Sequence, residues 1–237
     1  MQCLILAGGL GTRIEGLAGD GPKALVSVAG RPFADHQLRW LASAGIERVV
    51  YAIGHRGASL REFVGDGAPW GLEVAWSDDG DRLMGTAGAV RLALDRGLLG
   101  PGFLVLYGDS YLPIDLRPVW RAADDGGRSL MTVHHNRGRW DASNAVVADD
   151  RVTLFEKGRA DAADIGMEWI DYGVSVLTGD VVASQVLAGE PADLADVFHR
   201  LSLAGTLHAF QVTERFYEVG SPEGVRDLEE YLSGQEA

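Results

Sequence analysis

The chain has 237 residues, 46% of them apolar and 23% charged, with a formal net charge of −13. That length and balance suit one large α/β domain with a substantial core, and the acidity argues against a nucleic-acid partner, which needs a basic face. No run approaches the ~20 apolar residues that cross a bilayer, so no membrane partner is expected. The one cysteine, Cys3, excludes an intrachain disulfide and points to a cytoplasmic setting.

Cys3-Leu4-Ile5-Leu6-Ala7 is a short apolar run halted by Gly8-Gly9. It reads as a first strand buried on both faces, not as a signal peptide, because no basic segment precedes it. Pro32 opens a helix with Phe33, Gln37, Trp40, Leu41 and Ala44 along one side, ended by Gly45. Arg48–Ile53 is a strand, 55–64 a short helix and Leu72–Trp76 a strand. Thr86 is placed to cap a helix carrying Ala87, Val90 and Leu94. Phe103–Tyr107 is a strand running into Gly108-Asp109. This alternation predicts right-handed crossovers and a mostly parallel sheet covered on both faces.

The second half is richer in strands: Leu130–His134, Ala145–Ala148, Val152–Glu156 and Trp169–Leu177. Helices follow at Val181–Leu187 and Leu194–Leu203, then a strand at His208–Val212. A last helix after Ser221-Pro222 carries Val225, Leu228 and Leu232. Apolar loops around Trp70 and Trp120 offer surface for a homo-oligomer contact. In doubly wound sheets, ligands bind beyond the carboxyl ends of the strands. That rule singles out 8–13, Gly108-Asp109 and the turn around Glu218.

The glycines after the first strand let backbone N–H groups approach an oxyanion, and Arg13 and Lys23 supply cations for phosphate. The spacing is neither a dinucleotide fingerprint, since Ile14 stands where a third glycine belongs, nor a Walker A loop, since Gly21 is followed by Pro22-Lys23. Asp109, a carboxylate at a strand end beside such a loop, suits Mg²⁺, although an Asp there also makes an ordinary turn. Six histidines form no metal spacing, and no serine lies in a nucleophile elbow.

Leu6-Ala7-Gly8-Gly9-Leu10-Gly11-Thr12-Arg13 followed by Pro22-Lys23 resembles the signature of the sugar-phosphate nucleotidyltransferases. The resemblance runs along essentially the whole chain. It implies a three-layer, Rossmann-like (GT-A-like) α/β fold with a mostly parallel mixed sheet, built as a single domain. Residues 1–112 would form its nucleotide-binding half, and 113–237 its sugar-phosphate half with the C-terminal helix. By the same resemblance Leu6, Ala7, Gly8, Gly9, Gly11 and Thr12 wrap the triphosphate. Arg13 and Lys23 stabilise departing pyrophosphate, and Gly85, Thr86 and Gly88 lie against the base. Asn144, Glu156, Lys157, Asp171 and Gly173 line the sugar-phosphate pocket. Asp109 and Glu218 hold Mg²⁺, with Glu218 and Ser221 departing from the family's usual Asp-x-Gly-Thr.

The implied substrates are an NTP and a sugar 1-phosphate. GTP with a heptose- or mannose-type sugar is favoured, since the chain looks closest to the heptose-1-phosphate guanylyltransferases. UTP, dTTP or CTP with another sugar or alcohol phosphate is the alternative. Outside catalysis, the rival is a paralogue that binds a nucleotide-sugar without turnover, favoured only by the Glu at 218. A glycosyltransferase is disfavoured, because Gly108-Asp109-Ser110 is not an Asp-x-Asp motif.

Overall fold

A computed structural model describes residues 1–9, 21–54, 57–80 and 82–235. The chain runs through β1 (Gln2–Leu6), β2 (Ser27–Val28), β3 (Arg31–Pro32), α1 (Phe33–Ser43), β4 (Arg48–Ile53), α2 (Ala58–Val64), β5 (Glu73–Asp78) and α3 (Gly85–Asp95). It continues through β6 (Gly102–Tyr107), β7 (Ser110–Tyr111), α4 (Leu116–Ala122), β8 (Leu130–His135), β9 (Ala145–Ala148), β10 (Arg151–Phe155) and β11 (Trp169–Thr178). It closes with α5 (Gly179–Gln185), α6 (Leu194–Leu203), β12 (His208–Val212), β13 (Tyr217–Glu218) and α7 (Pro222–Gln235).

Nine of these strands form one mixed sheet in the order β5-β4-β1-β6-β11-β8-β12-β10-β9. The strands β5, β4, β1 and β6 are parallel neighbours, and β11 closes antiparallel on β6. The chain leaves β1 toward β4 on one side and reaches β6 on the other. The crevice at the carboxyl ends of β1 and β6 is therefore the topological switch point, where open α/β sheets take ligands. The expected Rossmann-like, GT-A-like architecture is what the sheet and its two helical layers build.

Strand alternation sends successive side chains to opposite faces, and two cores result. Cys3, Ile5, Val49, Tyr51, Leu104 and Leu106 face α1, α2 and α4, which contribute Leu38, Leu41, Leu60, Leu116 and Val119. Leu4, Val50, Phe103, Val105, Met131 and Val133 face α3, α5 and α6, which contribute Ala87, Val90, Val182, Val197 and Phe198. A third cluster joins Val26, Val28 and Phe33 to Val219, Val225 and Leu228. It binds α7 and the turn before it to the chain just after Lys23.

Some expected elements shift. The helix expected from residue 55 begins at Ala58. Helix α4 was not anticipated: Pro118 breaks its pattern, yet proline is tolerated in a first turn, and the Asp115 side chain caps the helix by accepting from the Arg117 amide. Thr86 does not cap α3 but lies inside its first turn. Its hydroxyl accepts from the Leu194 amide at 2.7 Å and donates to Asp193, the cap residue of α6, at 3.0 Å. Trp70 and Trp120, offered as loop surface for a homo-oligomer contact, are partly buried and pack against the first core.

Trp70 is held there by Asp35, which accepts from its indole N–H at 2.9 Å and from the Arg39 guanidinium at 2.8 Å. Burial raises the Asp35 carboxyl, but the hydrogen bonds from Arg39, Trp70 and Arg31 outweigh it and hold the group below its ordinary value. A carboxyl depressed in the folded state stabilises the fold above its unfolded pKa, and that contribution fades as pH falls through the folded value. Asp35→Ala is expected to cost about 1–2 kcal/mol near pH 7. Urea unfolding at descending pH should show wild type and variant converging under acid conditions.

Candidate active site

The site begins with the way β1 and β6 end. Gly108 donates its N–H to the Leu6 carbonyl at 3.0 Å. A Cβ on Gly108 would lie 2.4 Å from that same oxygen, so only glycine lets the two strand ends come this close. Asp109 follows at once, at the mouth of a cleft of ≈ 370 Å³. Leu6, Ala7, Gly8 and Gly9 line one side, Leu83, Met84, Gly85, Thr86 and Ala89 another, with Pro22, Lys23, Tyr107 and Asp79 completing it. Gly11, Thr12 and Arg13 lie outside the described residues.

Lys23 is aimed by a short 3-10 turn, Lys23–Leu25, whose Ala24 is buried as an anchor. Its Nζ stands 3.3 Å from Asp109 Oδ2, with both side chains half-buried. Gly220 borders this pair: a Cβ there would lie 3.7 Å from Asp109 Oδ2 and 4.0 Å from Lys23 Nζ, in ordinary contact with both.

Glu218 is brought to the same place by tertiary pairing. It sits opposite Ser110 in the β13–β7 ladder, and the Val219 amide donates to the Asp109 carbonyl at 2.9 Å. Burial, and then the carboxylates of Asp109, Asp141 and Asp171, push the Glu218 carboxyl up to about 7, against the pull of Lys157. Part of the side chain is exposed, and water screens some of this repulsion. Burial and the three neighbouring acids act in the same direction, both upward. The β13–β7 pairing thus sets Glu218 near enough to Asp109 for the two carboxylates to repel one another.

Lys157 and Asp171 meet beyond Tyr107. Lys157 Nζ lies 5.1 Å from the Tyr107 ring centroid. Burial raises the Asp171 carboxyl, opposed by Lys157, by the Gly173 amide at 3.0 Å and by the Tyr107 hydroxyl. Gly173 has φ +113°, a conformation that favours glycine, and presents its amide to that carboxylate. Asn144 is buried and accepts from the Asp171 amide at 2.9 Å. Tyr107 thus lines the cleft on one side and lies near Lys157 and Asp171 on the other, with Asn144 and Gly173 bonded to Asp171.

Two expected residues have partners that the sequence did not suggest. Gly88 is absent from the cleft wall, and a Cβ on it would lie 2.9 Å from the Glu190 carbonyl oxygen, so its smallness serves the contact with that loop. The Glu156 carboxylate is paired with Arg159 at 2.8 Å. Sequence reasoning missed Tyr107 and Asp79, although both sit at strand carboxyl ends, where the switch-point rule directs the search.

Residues 3–214 match the family described as the MobA-like NTP transferase domain. The chain belongs to that family. It is 35% identical over 134 residues to a glucose-1-phosphate thymidylyltransferase of Streptomyces antibioticus, covering 56% of this chain and 37% of that protein. It is 34% identical over 123 residues to an N-acetylmuramate alpha-1-phosphate uridylyltransferase of Neisseria meningitidis, covering 52% of this chain and 53% of the other. The aligned region thus spans about half or less of those two relatives. The D-glycero-alpha-D-manno-heptose 1-phosphate guanylyltransferase of Aneurinibacillus thermoaerophilus is 23% identical and is matched over 98% of both chains. Among solved structures, HddC from Yersinia pseudotuberculosis complexed with GMP-PN superposes with a TM-score of 0.79 at 24% identity, covering 98% of this chain and 99% of that one. No helix among the described residues is long and apolar enough to cross a membrane.

The raised Glu218 carboxyl has a measurable origin. The folded protein holds this proton where an unfolded chain, with its pKa near 4.5, has lost it. By linkage the metal-free protein therefore loses stability as pH rises from about 4.5 through about 7. Asp109→Asn removes one repelling charge. It is expected to lower the Glu218 pKa toward the ordinary value and flatten that slope, as followed by carboxyl-carbon NMR and by denaturation at several pH values.

Proposed function

We propose that this protein is a sugar-1-phosphate nucleotidyltransferase that condenses an NTP with a sugar 1-phosphate to give an NDP-sugar and pyrophosphate. GTP and a heptose- or mannose-type sugar are the favoured pair. The observation that carries the reading is the convergence of Lys23, Asp109 and Glu218 at the β1/β6 switch point, beside a glycine-bordered cleft. The guanine preference draws on the guanylyltransferase of Aneurinibacillus thermoaerophilus, matched over 98% of both chains.

An oxygen of the sugar 1-phosphate attacks the α-phosphorus of the NTP. A new P–O bond forms there as the bond from that phosphorus to the oxygen bridging the β-phosphate breaks, and pyrophosphate leaves with the electron pair. A phosphate monoester has a second pKa of ~6 and is largely ionised near pH 7, so no protein base has to remove a proton. What remains for the protein is alignment and charge neutralisation.

Leu6 to Gly9 and Gly85-Thr86 seat the nucleotide, while Lys23 and, by resemblance, Gly11, Thr12 and Arg13 meet its phosphates. Lys157 and Asp171, beyond Tyr107, orient the acceptor, with Asn144 and Gly173 holding Asp171 in place. Asp109 and Glu218 are the residues that would hold Mg²⁺. The Glu218 carboxyl is raised by burial and then by its acidic neighbours, and a cation would offset the repulsion from those neighbours. Bound Mg²⁺ would supply charge neutralisation on the reacting phosphates.

Pyrophosphate release in Mg²⁺, run with each NTP against a panel of sugar 1-phosphates, tests the reaction. Release is expected with GTP and a heptose or mannose 1-phosphate, falling about 10²-fold or more in Asp109→Asn and in Lys23→Met. Release only with another NTP would keep the reaction and move the base assignment. Tight binding of a nucleotide-sugar with no release from any pair would instead identify a binding protein without turnover.

A further inference from the structure

Tyr107 is the last residue of β6 and stands opposite Leu6 in the β1–β6 ladder, so its backbone is fixed by the same contact that sets Gly108 against Leu6. Leu104 and Leu106 face the first core, and Phe103 and Val105 the second. Alternation therefore carries the Tyr107 ring to the second face, where it lines the cleft. The sequence holds two lysines, Lys23 and Lys157, and 19 arginines. Lys23 is tied to Asp109 at 3.3 Å. The carboxylate beside Lys157 in the chain, that of Glu156, is engaged by Arg159 at 2.8 Å. The Lys157 ammonium rests instead over aromatic faces, 5.1 Å from the Tyr107 ring centroid and 6.0 Å from that of Phe155. The Tyr107 hydroxyl reaches the Asp171 carboxylate, where it works with the Gly173 amide against the rise that burial gives that group.

One ring thus touches both members of an opposite-charge pair. Lys157 is exposed, and a free lysine side chain loses much rotamer freedom when it meets a ligand. An aromatic face reduces that cost by holding the ammonium in advance. It also holds it without neutralising it. An ion pair would cancel the charge and occupy its donors, whereas a ring quadrupole leaves charge and N–H groups open to a phosphate. The same holds on the other side. An ionised carboxylate has about four acceptor sites, so Asp171 keeps some for a sugar hydroxyl after accepting from a phenol and an amide. A leucine at 107 would fill similar space and supply neither contact.

We propose that Tyr107 is a positioning residue for the acceptor, its ring face setting the Lys157 ammonium and its hydroxyl setting the Asp171 carboxylate at one fixed spacing. The inference rests on the nucleotidyltransferase reading and adds to it how the acceptor-side pair is held.

Two measurements test this, one of them independent of turnover. Protein labelled with ¹³C-lysine gives one ε-methylene signal for each of its two lysines, and Lys157→Arg identifies that of Lys157. The signal is expected to be displaced upfield by the Tyr107 ring, to stay displaced in Tyr107→Phe and to lose the displacement in Tyr107→Leu. Pyrophosphate release is then followed with the NTP and sugar 1-phosphate on which wild type is most active. In Tyr107→Leu the acceptor KM is expected to rise about tenfold, with kcat and the nucleotide KM changing less, and in Tyr107→Phe by a smaller factor. On a Lys157→Met background Tyr107→Leu should raise the acceptor KM by less than it does alone. Tyr107→Phe, which keeps the ring, decides the kinetic arm if the leucine variant does not fold. A Lys157 signal in wild type at the position of an unshielded lysine, or an acceptor KM unmoved by the substitutions, would overturn the role of Tyr107 and leave the proposed reaction standing. Release from no pair in wild type would overturn the reaction and this inference with it.

Discussion

The candidate site depends on how closely two parallel strands can end. The Leu6 carbonyl takes the Gly108 N–H and occupies the space where any Cβ at 108 would stand. That contact sets the carboxyl ends of β1 and β6 side by side and leaves the following residues to diverge around a crevice. Gly8 and Gly9 go one way and Asp109 the other, so backbone amides and a carboxylate face the same space. The third apolar cluster then does for Glu218 what strand order does for Asp109. Val219 is buried with Phe33, Val26 and Leu228, which clamps the β13 turn beside the Lys23 segment. Hydrophobic burial far from any charge thereby sets the spacing of the charges.

An acidic protein with a site proposed for phosphates has few cations to place there. Of 21 lysines and arginines against 34 acidic residues, Lys23 and Lys157 are set among the site's carboxylates, one beside Asp109 and the other near Asp171. Burial raises the Asp171 carboxyl against the pull of Lys157, whereas at Glu218 burial comes first and the carboxylates of Asp109, Asp141 and Asp171 add to it. A net charge of −13 is compatible with the proposed phosphate site, because the field that matters is local.

The small residues at the start of α3 also carry more than one duty. Gly85 lines the cleft, yet its φ of +69° and the 2.5 Å that would separate a Cβ from the Ala192 carbonyl oxygen tie it to the loop before α6. Thr86 joins the two directly through Leu194 and Asp193. The wall of the cleft is therefore welded to the start of another helix. A motif of small residues looks the same in sequence whether it receives a ligand or a neighbouring loop, and here it does the second while bordering the first.

Much of the fold was legible because its signals are local. Apolar runs such as Cys3–Leu6 and Leu104–Leu106, the helical stripe of α1 and the boundaries of α6 depend on periodicity and end-signals that neighbouring residues carry themselves. The glycine turn, Lys23 and Asp109 were legible too, as residues at strand ends whose chemistry is simple. Tertiary structure decided what depends on pairs distant in the chain. It set Glu218 opposite Ser110, turned Gly88 toward Glu190, engaged Glu156 with Arg159, and left Asp79 with a buried oxygen lacking a partner among the described residues. Sequence determines which groups a chain can offer, since propensity and pattern act over a few residues. Which groups meet, and which are left unsatisfied, follows from packing between elements up to a hundred or more positions apart, and that is where the specificity of the site resides.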